Sequence, residues 1–415
     1  MKKTLVVLLI LAVAGGVFAQ EITVGGQVFG SATLIQGQSA KDSDIEALGV
    51  FGRTRLQVTG QNDEETFGGW MRFQSGWDFG PIITTMTGSP PPTGMNTTLG
   101  PGEGYPVSAW GYAWWQPIQY VRFQVGTNPD GEFGADGIAR WAFYGDICDV
   151  IIPEDYSYSY SFYGGFGDAG ARLTITPIEG LEINVAAPFE ARAGRATDVY
   201  GRIHAQVAYT LADIGKIAVT FAGDHGDSIT GTGTAATSNG STIFGYFGLS
   251  AIENLIVDFG IGFKLPVTED IATGIDQKLT SPFAVGLAAA YDMGQFAVRA
   301  RVQGLFAGKL TYTAGGVSTD TKLGTVIEFD VLPSFAINDM FKAFLSGGLV
   351  INVPDTGDSV VAWHVNPYIT VSQGGGAFYA GFRLDSDGLD HAKLKAAGTE
   401  KVVNWSVPVG ILYYF

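Results

Sequence analysis

The chain has 415 residues, a formal net charge of -16 and a single cysteine, Cys148. This acidic balance argues against nucleic acid as a partner, and a lone cysteine cannot form a disulfide within the chain. Charged residues make up only 15% of the sequence, against about a quarter in ordinary soluble domains. Yet no stretch after the first 19 residues has the roughly eighteen consecutive apolar residues of a spanning helix. Neither a typical soluble domain nor a helical membrane protein fits this composition.

Residues 1–19 (MKKTLVVLLILAVAGGVFA) combine Lys2 and Lys3 with an apolar run and small residues up to Ala19. This is the pattern of a secretory signal peptide. The sequence therefore predicts an exported mature chain of residues 20–415 that begins at Gln20. An exported chain that is poor in charge and lacks spanning helices can still cross lipid as a closed β-barrel. Apart from the helix, this is the only arrangement that pairs all backbone polar groups within the membrane.

Segments with apolar residues at alternate positions follow along the whole mature chain, as expected for strands with one face in an apolar medium. They number about eighteen, with sixteen as the alternative. The fold class predicted is all-β, a closed antiparallel transmembrane β-barrel. The predicted strands are 21–35, 47–60, 66–78, 108–116, 119–126, 169–177, 181–188, 198–210, 216–223, 241–250, 255–263, 281–291, 296–306, 322–332, 340–353, 360–371, 376–385 and 401–415.

Short and long connections alternate between these strands. The short ones include 117–118, 178–180, 251–254 and 372–375, and the long ones are 79–107, 127–168, 224–240, 264–280 and 307–321. Outer-membrane barrels have short periplasmic turns and longer surface loops. The alternation therefore predicts an even strand number with both termini on the side of the short turns. The segment 155–165 also alternates, but it is assigned to the long loop because counting it would break this parity.

The final segment, KVVNWSVPVGILYYF, carries apolar residues at every second position from Val403 to Phe415. It resembles the closing strand of bacterial outer-membrane β-barrels, in which a terminal Phe and the alternating residues before it are read by the barrel-assembly machinery. The resemblance assigns this assembly signal to Val409, Ile411, Tyr413 and Phe415. An edge strand of a soluble sandwich is the alternative interpretation.

The segment 110–134 (WGYAWWQPIQYVRFQVGTNPDGEFG) resembles the hairpin and loop of porin-like outer-membrane proteins, including those of spirochaetes. The resemblance implies a place in the bacterial outer membrane and passive diffusion of ions and small hydrophilic solutes. Its expected partners are outer-membrane lipid, the assembly machinery and such solutes, and a homotrimer is one assembly it suggests. Because the alternation begins at Ile22, no plug domain of the TonB-dependent type is expected.

The less apolar face of each predicted strand carries most of the arginines. An arginine on the lipid face costs about 2–4 kcal/mol at mid-depth, so this side is assigned to a water-filled lumen. The predicted pore-lining basic residues are Arg53, Arg55, Arg72, Arg122, Arg172, Arg202, Arg299, Arg301 and Arg383. The alternative is that these arginines only avoid lipid and pair with the inward acids Glu182, Asp258, Glu328, Asp330 and Asp385.

The connection 127–168 holds eight acidic residues against one basic residue, together with an apolar stretch at 138–152. A loop of this length is usually functional, and its composition favours folding into the barrel mouth. There it resembles the constriction loop of general porins, in which acids face a basic wall and the field between them selects solutes. Arg53, Arg55, Arg72 and Arg122 are the predicted wall. The constriction-loop acids are Asp130, Glu132, Asp136, Asp146, Asp149, Glu154 and Asp155.

Two other functions stay open. Trp70, Tyr120 and Tyr379 face inward by the same parity, and sugar-selective porins stack glycosyl rings on such residues, although an interfacial girdle also places aromatics near strand ends. The faces of Trp110, Tyr112 and Trp114 are not decided by the sequence. Acidic, Gly/Ser/Thr-rich loops such as 231–241 are compatible with a surface antigen or adhesin.

Nothing in the sequence predicts catalysis. The four histidines are scattered, and no GxSxG, HExxH, P-loop or CxxC pattern is present. We therefore expect no enzymatic activity, no catalytic residues, no cofactor and no metal site. A channel for hydrophobic compounds is disfavoured because the predicted lumen is rich in arginine.

Overall fold

The computed structural model describes most of the chain. The described residues are 21–38, 49–79, 107–127, 169–189, 201–223, 225–229, 235–239, 241–265, 267–272, 275–280, 283–306, 308–322, 324–355, 357–386 and 403–415. The predicted signal peptide, 1–19, lies outside them. No helix within these ranges is long and apolar enough to cross a membrane.

The described residues form twenty-five β-strands. In chain order they are β1 (Glu21–Gln38), β2 (Gly49–Gln61), β3 (Phe67–Phe79), β4 (Val107–Ile118), β5 (Val121–Thr127), β6 (Ala169–Ile178), β7 (Leu181–Pro188), β8 (His204–Leu211), β9 (Gly215–Ala222), β10 (His225–Ile229), β11 (Ala235–Asn239), β12 (Thr242–Ile252), β13 (Leu255–Lys264), β14 (Val267–Ala272), β15 (Ile275–Thr280), β16 (Phe283–Asp292), β17 (Phe296–Phe306), β18 (Lys309–Ala314), β19 (Val317–Lys322), β20 (Thr325–Ala336), β21 (Phe341–Val353), β22 (Val360–Gln373), β23 (Gly376–Gly381), β24 (Arg383–Ser386) and β25 (Val403–Tyr414).

Eighteen strand positions form one closed antiparallel barrel. Each strand pairs with its neighbour along the chain, and the hairpins β10–β11, β14–β15 and β18–β19 are bypassed, so that β9 pairs with β12, β13 with β16 and β17 with β20. The last strand, β25, pairs with β1 and closes the barrel. The all-β prediction and the count of eighteen are confirmed, and the alternative of sixteen is wrong.

The strands are joined by tight turns at one end of the barrel. Glu179 and Gly180 join β6 to β7, and Glu253 and Asn254 join β12 to β13. Gly180 and Asn254 have φ values of 79° and 61°, which glycine and asparagine tolerate better than other residues. The connections at the other end are longer, so the predicted alternation of short and long connections is present in the structure.

Three predicted surface loops contain strands. β10 and β11 pair within the predicted loop 224–240, β14 and β15 within 264–280, and β18 and β19 mostly within 307–321. β15 also pairs with β18, which makes a four-stranded sheet beyond the barrel wall. Predicting these segments as loops was wrong, and the reason is physical. Every residue of β19 is exposed, so no apolar face marks the strand in the sequence.

Further strand boundaries differ from the prediction, and two of these differences occur at prolines. The predicted strand 376–385 is split at Phe382 because Pro367, opposite the break in β22, has no N–H to donate to the ladder. Pro117 lies inside β4 at a register shift, so the predicted turn at 117–118 falls two residues later, at 119–120. The predicted strand 198–210 begins only at His204.

The two faces of the wall differ in chemistry. Apolar side chains exposed on the outside include Val24, Val219 and Ile411, whereas Asn184 and Gln206 point inward and are buried. Alternation of this kind is expected where lipid contacts the outside and polar groups line the inside of a transmembrane barrel.

Candidate functional site

A group of arginines occupies the inner wall of β2, β3 and β5. The Arg55 Nε donates a hydrogen bond to Gln74 Oε1 at 2.6 Å, and its Nη1 donates to Gln27 Oε1 at 3.3 Å. The Arg72 guanidinium donates from Nε and Nη2 to Gln57 Oε1, at 2.8 and 2.5 Å. The glutamine oxygens are neutral acceptors that orient the two guanidinium groups. Arg53 lies in β2 opposite Phe29 in the register, and its side chain is outside the described part.

Arg122 is held in a different way, on β5. Its Nε donates to Gln116 Oε1 at 3.1 Å, and its guanidinium carbon lies 4.4 Å from the centre of the Trp114 ring. The indole in turn lies against the backbone of Gly68 in β3. A Cβ built on Gly68 would come within 2.5 to 2.7 Å of three ring atoms of Trp114, so glycine makes room for the ring.

The arginines of the later strands pair with acids. Arg172 lies 3.5 Å from Glu182 and also donates from Nε to Asn184 Oδ1 at 3.0 Å. The Arg383 Nε donates to Asp385 Oδ2 at 2.7 Å. For these arginines the geometry fits the alternative interpretation, in which inward arginines pair with inward acids.

Arg301 is the most enclosed of the paired arginines. Its Nη2 lies 2.7 Å from both Glu328 Oε1 and Asp330 Oδ2, and all three side chains are almost completely buried. Gln303 also donates to Glu328. A buried arginine shared by two carboxylates couples β17 tightly to β20, and it contributes little open positive charge to the lumen.

Arg202 and Arg299 occupy opposite environments. Arg202 lies in the short segment before β8 and is only 2% exposed. Arg299, on β17, is exposed and lines a cavity of about 1030 Å³ near the short turns. The same cavity is lined by Lys342, whose ammonium lies 5.2 Å from the Phe344 ring centre, and by Tyr368, which stacks on Phe344 with centroids 4.5 Å apart.

The inner face of β4 carries an aromatic row that the sequence did not resolve. The register places Trp110 opposite Arg72 and Tyr112 opposite Trp70, and the Trp70 and Tyr112 rings stack with centroids 5.6 Å apart. Arg72 lies 5.0 Å above the Trp70 ring centre. The intervening Trp115 is exposed outside, where it stacks on Phe67 and Phe123. Had the sequence analysis assigned Trp115 to the lipid face, alternation would have placed Trp110, Tyr112 and Trp114 on the inner face.

A second cavity of about 580 Å³ opens beside Arg122 on the inner wall. Its lining is mostly polar and spans β4 to β9. The charged residues that line it are Arg122, Arg172, Lys216 and Glu182. Tyr120, predicted to face inward, also lines this cavity. Tyr379 is completely buried elsewhere on the wall, where it stacks on Phe29.

The structure does not describe the acidic residues of the predicted constriction loop. Asp130, Glu132, Asp136, Asp146, Asp149, Glu154 and Asp155 all lie outside the described residues. Among the described residues, no group of three or more His, Cys, Asp or Glu side chains could hold a metal ion.

Three of the residues predicted as an assembly signal lie on the outer face of β25, and the fourth, Phe415, follows the strand directly. Ile411, Tyr413 and Phe415 are exposed, and the rings of Tyr413 and Phe415 stack with centroids 6.3 Å apart. Val409 is half-buried in the same row. The intervening Leu412 faces inward and is buried.

Comparison with solved structures shows the fold. The chain is similar to the outer membrane protein opdK of Pseudomonas aeruginosa, with a TM-score of 0.53 at 8% identity over 96% of this chain and 99% of that chain. It also aligns with a loop L8 deletion mutant of OmpT, an outer membrane protein of Vibrio cholerae, with a TM-score of 0.44 at 13% identity over 95% of this chain and 99% of that chain. No curated protein matches the chain.

The comparison with protein families gives a more direct result. The family model described as Gram-negative porin matches residues 4–331, which is well over half of the chain. The closed barrel, the apolar outer face and the polar inner face agree with that match. The chain therefore belongs to the Gram-negative porin family and is a β-barrel of the bacterial outer membrane.

Proposed function

We propose that this porin is a passive channel for ions and small hydrophilic solutes, with a basic wall on β2, β3 and β5. The observation that carries the proposal is the nature of the arginine contacts. Arg55, Arg72 and Arg122 hydrogen-bond to glutamine amides, whereas Arg172, Arg301 and Arg383 pair with carboxylates. Arg122 is also exposed, so its positive charge can act on solutes that pass through the lumen.

The acidic connection 127–168 is the proposed counterpart of this wall. It follows β5 directly along the chain, and β5 carries Arg122. With its acids facing the guanidinium groups across a narrow aqueous gap, the field between them would orient dipolar solutes and set the ion selectivity. Arg53 belongs to the same proposed wall by its position in β2.

Reversal potentials in planar bilayers under a KCl gradient test this proposal. Arg53→Ala and Arg122→Ala should shift the selectivity toward cations, because each removes positive charge from the proposed wall. Asp146→Asn combined with Asp149→Asn should shift it toward anions. The matched control is the double variant Arg383→Ala, Asp385→Ala, which removes a whole ion pair and so leaves the net charge of the wall unchanged. Unchanged selectivity in all the test variants would remove the proposed constriction, and a barrel that does not conduct would remove the channel.

Export and assembly complete the proposal. Residues 1–19 are removed as a signal peptide, and the barrel-assembly machinery reads Val409, Ile411, Tyr413 and Phe415 on β25. A homotrimer is the proposed assembly, as in many porins. Mass spectrometry of the purified protein should give a mature chain that begins at Gln20, and multi-angle light scattering in detergent should give three chains per particle. We propose no enzymatic activity.

A second candidate function is contact with a partner or host surface. The observation that favours it is the four-stranded sheet β14–β15–β18–β19, whose outermost strand is exposed at every residue. Few of its side chains are large aromatic anchors, which usually dominate binding energy. An electrically silent barrel that binds cells through this sheet would favour the contact function over the channel.

A further inference from the structure

Arg122 is an exposed cation on the described inner wall, and two neighbouring side chains orient it. Gln116 accepts a hydrogen bond from its Nε, and the Trp114 ring supports one face of its guanidinium. The same ring lies against the backbone of Gly68. The two terminal nitrogens, Nη1 and Nη2, have no hydrogen-bond partner among the described residues, and the side chain is exposed. One edge of the guanidinium is therefore anchored while the other edge is free.

Arg122 lines the cavity of about 580 Å³. Three cations and one carboxylate line this cavity, and the carboxylate, Glu182, is already engaged by Arg172 at 3.5 Å and by the Asn184 amide at 2.5 Å. Basic residues therefore outnumber acidic ones by three to one in this lining, in a chain whose net charge is -16. Gln119, Gln124 and Thr176 add neutral polar groups to the same lining.

We propose that Arg122 is a binding site for small oxyanions, in which Nη1 and Nη2 donate hydrogen bonds to the oxygens of a carboxylate or phosphate group. A guanidinium presents parallel N–H groups that match two oxygens of such a group, and this paired contact is shorter and stronger than a neutral hydrogen bond. Trp114 and Gln116 act as positioning residues, because they fix the plane and rotation of the fork. The inference rests on the proposed channel and names a solute class for it.

The aromatic contacts favour an oxyanion over a sugar. A pyranose stacks on an open ring face, but the Trp114 ring already has the Arg122 guanidinium over it and the Gly68 backbone against it. Trp70 likewise has Tyr112 stacked on it and Arg72 over its ring. These rings therefore hold arginines in place, and the guanidinium groups are what a solute meets.

The test measures how acetate and phosphate, added separately, reduce the KCl conductance of the full mature protein in planar bilayers. Arg122→Lys keeps the charge but loses the two parallel N–H groups. About tenfold more oxyanion should therefore be needed to halve the conductance. Trp114→Leu should weaken the block several-fold, measured relative to the KCl conductance of that same variant, because the ring no longer fixes the plane of the guanidinium. Arg299→Lys is the matched control, because Arg299 is also exposed but lines the other cavity.

Each outcome decides the inference. The proposed oxyanion site is supported if either oxyanion blocks the conductance and this block is weakened by Arg122→Lys but not by Arg299→Lys. No block by either oxyanion, an unchanged block in Arg122→Lys, or equal weakening in Arg299→Lys overturns it while the channel stands. An unchanged block in Trp114→Leu overturns the positioning role of the ring. Absence of KCl conductance in the unmodified protein contradicts the channel itself.

Discussion

The Phe415 ring lies directly over the backbone of Gly26, across the seam where β25 meets β1. The Gly26 N–H donates to the Phe415 main-chain oxygen at 2.8 Å, and the Phe415 N–H donates to the Gly26 carbonyl at 3.2 Å. The first and last barrel strands are thus tied by a reciprocal pair of hydrogen bonds beneath an aromatic ring. This pair closes the barrel at the end where its short turns lie.

Gly26→Val should weaken this seam. A Cβ at Gly26 would lie 2.6 Å from the Arg55 main-chain oxygen and 2.8 Å from Phe415 Cε1, so either the ring or the strand must move. Overpacking of this kind typically costs about 1–3 kcal/mol. Urea unfolding in detergent micelles measures the loss. Gly245→Ala in β12 is the control, since its nearest neighbour would be Ile261 Cγ2 at 3.5 Å, an ordinary contact. Equal stability of the two variants would contradict the proposed role of Gly26.

Arg301→Met should be among the most destabilising single changes in the wall. It leaves the buried carboxylates of Glu328 and Asp330 without the guanidinium that lies 2.7 Å from each. Removing one partner of a buried ionic group costs about 3–5 kcal/mol. The triple variant Arg301→Met, Glu328→Gln, Asp330→Asn should recover a large part of this loss, because no buried charge is left unpaired. If the triple variant unfolds at the same urea concentration as the single one, the ionic explanation is wrong.

A new charge should destabilise the barrel at one residue of β5 and have far less effect on stability at the residue beside it. Val125 is exposed on the outer face, whereas Gln124 lines the inner cavity. Val125→Arg places a guanidinium against lipid and should cost about 2–4 kcal/mol if it lies near the middle of the bilayer. Gln124→Arg should change stability far less and should increase anion selectivity. Equal unfolding free energies in lipid bilayers would mean that the two faces are assigned incorrectly.

Asp320, on the sheet beyond the barrel wall, should be sensitive to its lysine neighbour. The Lys309 ammonium donates to its carboxylate at 2.8 Å and the Thr311 hydroxyl at 2.7 Å, and these contacts lower the pKa of Asp320 below its ordinary value of 3.8. Because the folded pKa is lowered, the stabilisation is present above pH 3.8 and is lost as the pH falls through the folded pKa.

Carboxyl-carbon NMR of the labelled protein in micelles can follow this titration. Lys309→Met should move the pKa of Asp320 upward toward its ordinary value. Lys322→Met is the control, since the Lys322 ammonium pairs with Asp355 at 3.8 Å and is not one of the groups that lower the pKa of Asp320. A titration of Asp320 that is the same in Lys309→Met and the unmodified protein would contradict the assigned cause.

Residue alternation determined most of the barrel in advance. Lipid on one side of a strand and polar surroundings on the other impose a two-residue period on the sequence, and this contrast located eighteen strand positions and their turns. It did not reveal β10, β11, β14, β15, β18 and β19. β19, for example, is exposed at every residue and so has no apolar face that the sequence could mark. It also did not foresee the split at Phe382, which depends on a proline in the neighbouring strand.

The partners of the inward arginines were decided only by the tertiary structure. Alternation assigns a side chain to a face, but cross-strand register determines which residue lies beside it. Arg301 meets Glu328 and Asp330 from a different strand, whereas Arg122 meets Trp114 and Gln116 across a hairpin with a register shift. One arginine is thereby neutralised and the other left open, although both follow the same sequence pattern. The sequence alone thus determined the barrel and its two faces, and register determined where charge stays available on the inner one.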